Sequence, residues 1–91
     1  MTKSELDNKK EELKQMRYTG DSSLWELSSF IDNLIHLASE PNSGMAPYYR
    51  TELELHYKNL NKEYKKGKTA FQKYKNDILE SMDGMRRGME A

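Results

Sequence analysis

Residues 57–78 read YKNLNKEYKKGKTAFQKYKNDI, and the reading of this stretch decides the fold. Tyr57, Leu60, Tyr64, Gly67, Phe71, Tyr74 and Ile78 fall at alternating steps of three and four, the spacing of a heptad seam. No proline follows Pro47. The periodicity therefore predicts one helix from Pro47 to about Arg87, about 41 residues and about 60 Å long at 1.5 Å per residue. Beyond Ile78 the seam continues through Met82, Met85 and Met89, with a stutter where two four-residue steps follow each other. Gly67 holds a seam position where a larger residue is expected. It costs about 1 kcal/mol of helix propensity and either admits the close approach of another helix or marks a bend.

Working towards the N-terminus, Glu40-Pro41-Asn42-Ser43-Gly44 is a turn by composition, and Pro47 suits the first turn of a helix, where its missing N–H costs nothing. Before it, Leu24, Leu27, Ile31, Leu34 and Ala38 form a helical stripe that Trp25, Phe30, Ile35 and Leu37 widen beyond half the circumference. This helix, about 22–40, is capped by Asp21, Ser22 or Ser23 and is expected to be the most buried element. A first helix, about 4–18, carries a thin stripe of Leu6, Leu13 and Met16 and ends before Gly20. Both Thr2–Glu5 and Ser4–Asp7 offer its capping-box pattern.

The expected architecture is all-α and a single domain over residues 1–91: two shorter helices packed on a long C-terminal helix with a coiled-coil-like seam. The first two helices span about 50 Å end to end at the same rise, so as a hairpin they cover about half of the third. That mismatch predicts self-association, as a homodimer, or a partner. A chain of 91 residues buries only about 60–65% of its unfolded surface, which points the same way.

Composition narrows the possibilities further. Charged residues are 33% and apolar residues 35% of the chain, with a mean hydropathy of −1.05, too polar for a thick core yet periodic rather than scattered. Cysteine is absent, which excludes a disulfide framework and thiolate metal sites. No apolar run approaches the length of a membrane span and Met1–Glu5 lacks a signal-peptide core, so a cytoplasmic setting without membrane contact is expected. Net charge is zero but segregated: residues 18–56 carry one arginine against six acids, and residues 57–75 carry seven lysines against Glu63. Such segregation sets helix register or orients a partner.

Motif by motif, little chemistry emerges. Lys66-Gly67-Lys68-Thr69 ends like a phosphate-binding loop, but the position of that motif's first glycine is Lys62 and no strand precedes it. His36 and His56 each have a glutamate four residues away, Glu40 and Glu52, which supplies two ligands rather than a metal site. None of the serines lies in a Gly-x-Ser-x-Gly turn. Trp25-Glu26-Leu27 lacks the glycine of the Trp-x-Gly turn found in small helical-hairpin proteins exported by Gram-positive secretion systems, so no family is assigned. No catalytic residue, cofactor or metal is expected.

Two functional expectations follow from the charge and the seam. The first is a non-enzymatic protein–protein interaction module, an adaptor, chaperone-like partner or inhibitor, in a format also typical of phage or mobile-element regulators. Phe71, Tyr74, Ile78, Met82, Met85 and Met89 would supply its contact area, with a methionine-rich end that adapts to a partner and two glycines, Gly84 and Gly88, that let it fray. The alternative is nucleic-acid or nucleotide binding through Lys58, Lys62, Lys65, Lys66, Lys68 and Lys73, with tyrosines interleaved for stacking.

Overall fold

The structure, a computed structural model, describes residues 2–40 and 46–90. Among these residues it is all-α, with four helices and no strand: α1 (Lys3–Gln15), α2 (Asp21–Ala38), α3 (Pro47–Glu63) and α4 (Lys68–Glu90). The turn composed of Pro41 to Gly44 lies outside the described residues.

The expected long third helix is two helices. Tyr64–Lys66 tighten into a 3₁₀ turn, Gly67 takes φ +60° and ψ −125°, and the chain reverses into α4. A side chain with a Cβ resists that backbone conformation, so the bend sits on the one glycine in this part of the chain. Gly67 N–H closes the turn on Tyr64 O at 3.1 Å, and Phe71 N–H starts α4 from Gly67 O at 3.0 Å. The molecule measures 38 × 22 × 17 Å with a Cα radius of gyration of 12.7 Å, close to the ~12 Å of a compact chain this long. A straight helix of about 60 Å has no place in it. The length mismatch that predicted an uncovered half-seam disappears with the bend.

α2 packs on α3, α3 on α4, and α1 on α4, with α2 also touching α4. One core joins them: Leu6 and Leu13 from α1; Leu24, Leu27, Phe30, Ile31, Leu34 and Ala38 from α2; Leu53 and Leu60 from α3; Ala70, Phe71, Tyr74, Ile78, Met82 and Met85 from α4. The five-residue stripe of α2 is thus the expected one. Of the residues expected to widen it, Phe30 is buried and Ile35 packs against the core, whereas half-buried Leu37 is not part of it and Trp25 stands outside it, 75% exposed. No buried side-chain nitrogen or oxygen among the described residues lacks a hydrogen-bond partner.

Local chemistry sets the helix ends. Thr2 rather than Ser4 makes the capping box: Glu5 N–H donates to Thr2 Oγ1 at 3.1 Å and Thr2 N–H to Glu5 Oε1 at 3.3 Å. α1 stops at Gln15, three residues earlier than expected, because other groups take its last carbonyls. Lys75 Nζ donates to Met16 O at 2.7 Å and Lys14 O at 3.3 Å, and Arg17 donates to Lys14 O at 2.9 Å. Gly20, at φ +130°, starts α2 instead of ending α1. Buried Ser23 holds the connection, accepting from Thr19 N–H at 2.6 Å and donating to Arg17 O at 3.1 Å.

α4 runs intact past Gly84 to Glu90. Gly84 lies under the Tyr49 ring, where a Cβ would stand 2.8 Å from Tyr49 Oη. It is a packing site between α3 and α4. Asp7–Arg86 (3.0 Å) and the Lys10–Asp83 contact pin α1 to the same helix.

Candidate functional site

The fold consumes the seam. Phe71, Tyr74, Ile78, Met82 and Met85 are all buried in the core, and Met89 packs against it. None of the first five presents a free surface, so the contact area expected from them lies inside the protein.

The lysines fare differently. Lys58, Lys62, Lys65, Lys66, Lys68 and Lys73 are all exposed. Lys66 pairs with Glu63 at 3.2 Å and Lys73 lies over the Tyr74 ring at 5.2 Å. Of the neighbouring tyrosines, Tyr74 is buried, Tyr57 half-buried and Tyr64 53% exposed. Tyr64 alone is placed to offer a face to a ligand beside those lysines.

The feature that periodicity missed is a groove that Tyr64 itself helps to line. Near the N-terminus of α2 and the C-terminus of α3, Asp21, Leu24, Trp25, Ser28, Leu60, Asn61 and Tyr64 line a groove of about 360 Å³. Leu24 and Leu60 are core residues whose edges form its floor, while Trp25 and Tyr64 form its banks. Ser28 Oγ donates to Asn61 Oδ1 at 3.2 Å and bridges the two helices. An apolar floor between two aromatic banks accepts a bulky apolar or planar group. A signal for the groove was present in the sequence: Trp25 is four residues from Asp21 and seven from Asp32, on the polar side of the Leu24–Leu27–Ile31–Leu34 stripe.

A second cluster spans α3 and α4. Glu52 and His56, one helical turn apart, face Asp77 and Ser81, also one turn apart. Ser81 Oγ donates to Glu52 Oε1; His56 Nε2 stands 3.8 Å from that oxygen, and its Nδ1 4.0 Å from Asp77 Oδ2. Ser81's hydrogen bond, followed by those from Tyr48 and His56, holds the Glu52 carboxyl below its ordinary range against the opposing effect of burial. The hydroxyl, the carboxylates and the imidazole thus tie α3 to α4. Nearby, Tyr74 donates to Glu63, and burial followed by that carboxylate pushes the phenol up to about 12. His36 is exposed and turns to Asp32, with Nδ1 2.8 Å from the Asp32 carbonyl oxygen, rather than to Glu40.

Among the described residues no group of three or more histidines and acids could hold a metal ion, and no helix is long and apolar enough to cross a membrane. No family model, no curated protein and no solved structure matches this chain.

Proposed function

We propose that this protein is a non-enzymatic interaction module, an adaptor, chaperone-like partner or inhibitor acting in the cytoplasm, and that it binds another polypeptide through the groove between α2 and α3. The reading rests on one observation: the chain's single tryptophan is three-quarters in water, on the bank of a groove with an apolar floor. Burying such a side chain is worth ~1.5–3 kcal/mol or more, and tryptophan and tyrosine dominate the energetically decisive positions of interfaces. Nothing in the fold draws that energy from Trp25. The work first expected of the seam passes to Trp25 and Tyr64.

A photo-reactive amino acid in place of Trp25 tests this in the cells that make the protein, with Glu11, exposed on α1, as the control position. A discrete polypeptide adduct from position 25 but not from position 11 is the expected result. No adduct, or equal labelling from both, sinks the proposal.

The exposed lysines around Tyr64 favour a second reading, a nucleic-acid surface. Its signature is a mobility shift that weakens steeply with salt and vanishes when Lys58, Lys62, Lys65 and Lys66 become glutamate.

A further inference from the structure

We infer that the occupant of the α2–α3 groove is a second copy of this chain, docked about a two-fold axis that runs parallel to the two helices. The inference rests on the groove being the binding surface, and it adds the partner and the geometry.

Charge points to this partner. Residues 21–40 contain Asp21, Glu26, Asp32 and Glu40 and no lysine or arginine. Of these, Asp21 and Asp32 share the face of Trp25, at steps of four and seven, and both are exposed. Across the groove, exposed Lys58 lies three residues before Asn61, on its side of α3, and exposed Lys65 follows in the 3₁₀ turn just beyond the end of that helix. The one acid on that side, Glu54, is already paired with Arg50 at 3.1 Å. One bank is therefore acidic and the other basic. A surface with two opposite banks is complementary to itself.

The register follows from the antiparallel pairing of α2 with α3. Ser28 bonds Asn61, so Trp25 stands level with Tyr64, and Asp32 with Tyr57 and Lys58. Two face-to-face symmetries are open. An axis across the helices lays α2 on α2, acid on acid, and α3 on α3, lysine on lysine. An axis along the helices lays each α2 over the other copy's α3 at the same level. In that arrangement Asp32 meets Lys58, and each Trp25 lies on the other copy's Tyr64 and fills its groove. Like charges set against each other cost several kcal/mol, which removes the first symmetry and leaves the second.

The experiment uses the full chain, with sedimentation equilibrium and the emission of its single tryptophan as parallel readouts. The expected result is a monomer–dimer equilibrium in which Trp25 emission moves to the blue as the dimer forms. Trp25→Ala weakens it by about 30-fold or more, as for an interface hot spot. Lys58→Asp or Asp32→Lys alone weakens it about tenfold, and the two together recover most of that loss. All these positions are exposed, so unchanged thermal unfolding of dilute protein verifies that the fold survives. A chain that stays monomeric at millimolar concentration overturns the inference. So does a dimer indifferent to Trp25→Ala, or a charge-reversed pair that fails to recover. The position-25 cross-link separates the two levels of the argument. An adduct of twice the chain mass supports the second copy. An adduct with a different polypeptide overturns the second copy and leaves the groove reading standing, whereas a nucleic-acid adduct or none overturns both.

Discussion

The hydroxyl of Tyr18 sits over the α-carbon of Gly67: a Cβ at position 67 would stand 3.1 Å from Tyr18 Oη. The contact joins the connection after α1 to the reversal between α3 and α4, and the Tyr18 ring continues onto Phe71, with centroids 5.7 Å apart. Gly67 is thus fixed twice, by its positive φ and by the ring above it.

Gly67→Ala consequently destabilises the protein by about 1–3 kcal/mol, the cost of holding a side chain in a sparsely populated backbone region. Urea unfolding reads it directly. Tyr18→Phe in the same chain relieves the crowding but not the backbone strain, so it recovers only part of the loss. An unchanged midpoint in Gly67→Ala would show that residue 67 does not hold this conformation in solution.

Gly84 gives a prediction whose sign depends on its neighbour. Alanine is favoured over glycine by ~1 kcal/mol inside a helix, but here its Cβ meets Tyr49 Oη at 2.8 Å and two ring carbons at 3.0 and 3.2 Å. Gly84→Ala lowers stability when Tyr49 is present and raises it by ~1 kcal/mol when Tyr49 is already alanine. A double-mutant cycle by chemical denaturation measures this. The same sign in both backgrounds would rule out the contact.

Much of the helical core was legible because it obeys a single period. Leu24, Leu27, Ile31, Leu34 and Ala38 read as one buried stripe and form one; Pro47 reads as a first-turn residue and is one. The reversal at Gly67 was not legible. The 3₁₀ turn and the glycine occupy four residues, about one helical turn, so Leu60, Tyr64, Gly67 and Phe71 keep a heptad-like spacing across a break that changes the direction of the chain. Glycine's helix cost of ~1 kcal/mol is too small to forecast a break by itself; closing α4 onto α1 and α3 decides it. Trp25 departs from the stripe for a different reason: its place between Asp21 and Asp32 sets it on the polar face of α2, which its hydrophobicity alone does not reveal. The knot of Glu52, His56, Asp77 and Ser81 was half visible. The Glu52–His56 pair lies within one helix, whereas the bond from Ser81 crosses 29 positions that only the fold brings together.

Three hydrogen-bonded carboxylates, one of them in that knot, give the protein an acid limit. Glu52, Glu63 and Asp83 are held below ordinary values of 4.5, 4.5 and 3.8, chiefly by bonds from Ser81, Tyr74 and Lys10 respectively. A carboxylate whose folded pKa is depressed adds stability that is complete above its unfolded pKa and is lost as pH falls through the folded one. Thermal stability is therefore expected to hold from about pH 7 to about pH 5 and to decline progressively below about pH 4.5. Ser81→Ala costs about 1–2 kcal/mol near neutrality, where it leaves a charged acceptor short of a donor, and less once Glu52 is protonated. Urea midpoints of the two proteins at about pH 7 and about pH 3 measure the difference. A gap that does not narrow in acid would show that Ser81 acts by packing alone.

Lys75 offers the sharpest test of how α1 is held. Its ammonium donates to the carbonyls of Lys14 and Met16 while its charge lies 6.0 Å from the centre of the Phe71 ring. Burial, and then the neighbouring Arg17, pulls its pKa down, so this charge is kept at a cost that the carbonyls offset. Lys75→Met keeps much of the apolar stem and loses the donor. It should cost about 1 kcal/mol, the usual scale for a cation at a helix C-terminus. The loss should also be local. Amide exchange accelerates in Lys3–Gln15, which relies on α4 for its packing, and stays slow in the core of α2. Arg17→Ala separates the two donors, because Arg17 reaches the same end of α1 from the exposed side without crossing from α4. If α1 is tethered across the bundle, Lys75→Met loosens it more than Arg17→Ala does; equal acceleration in both would mean that the end of α1 is capped but not anchored.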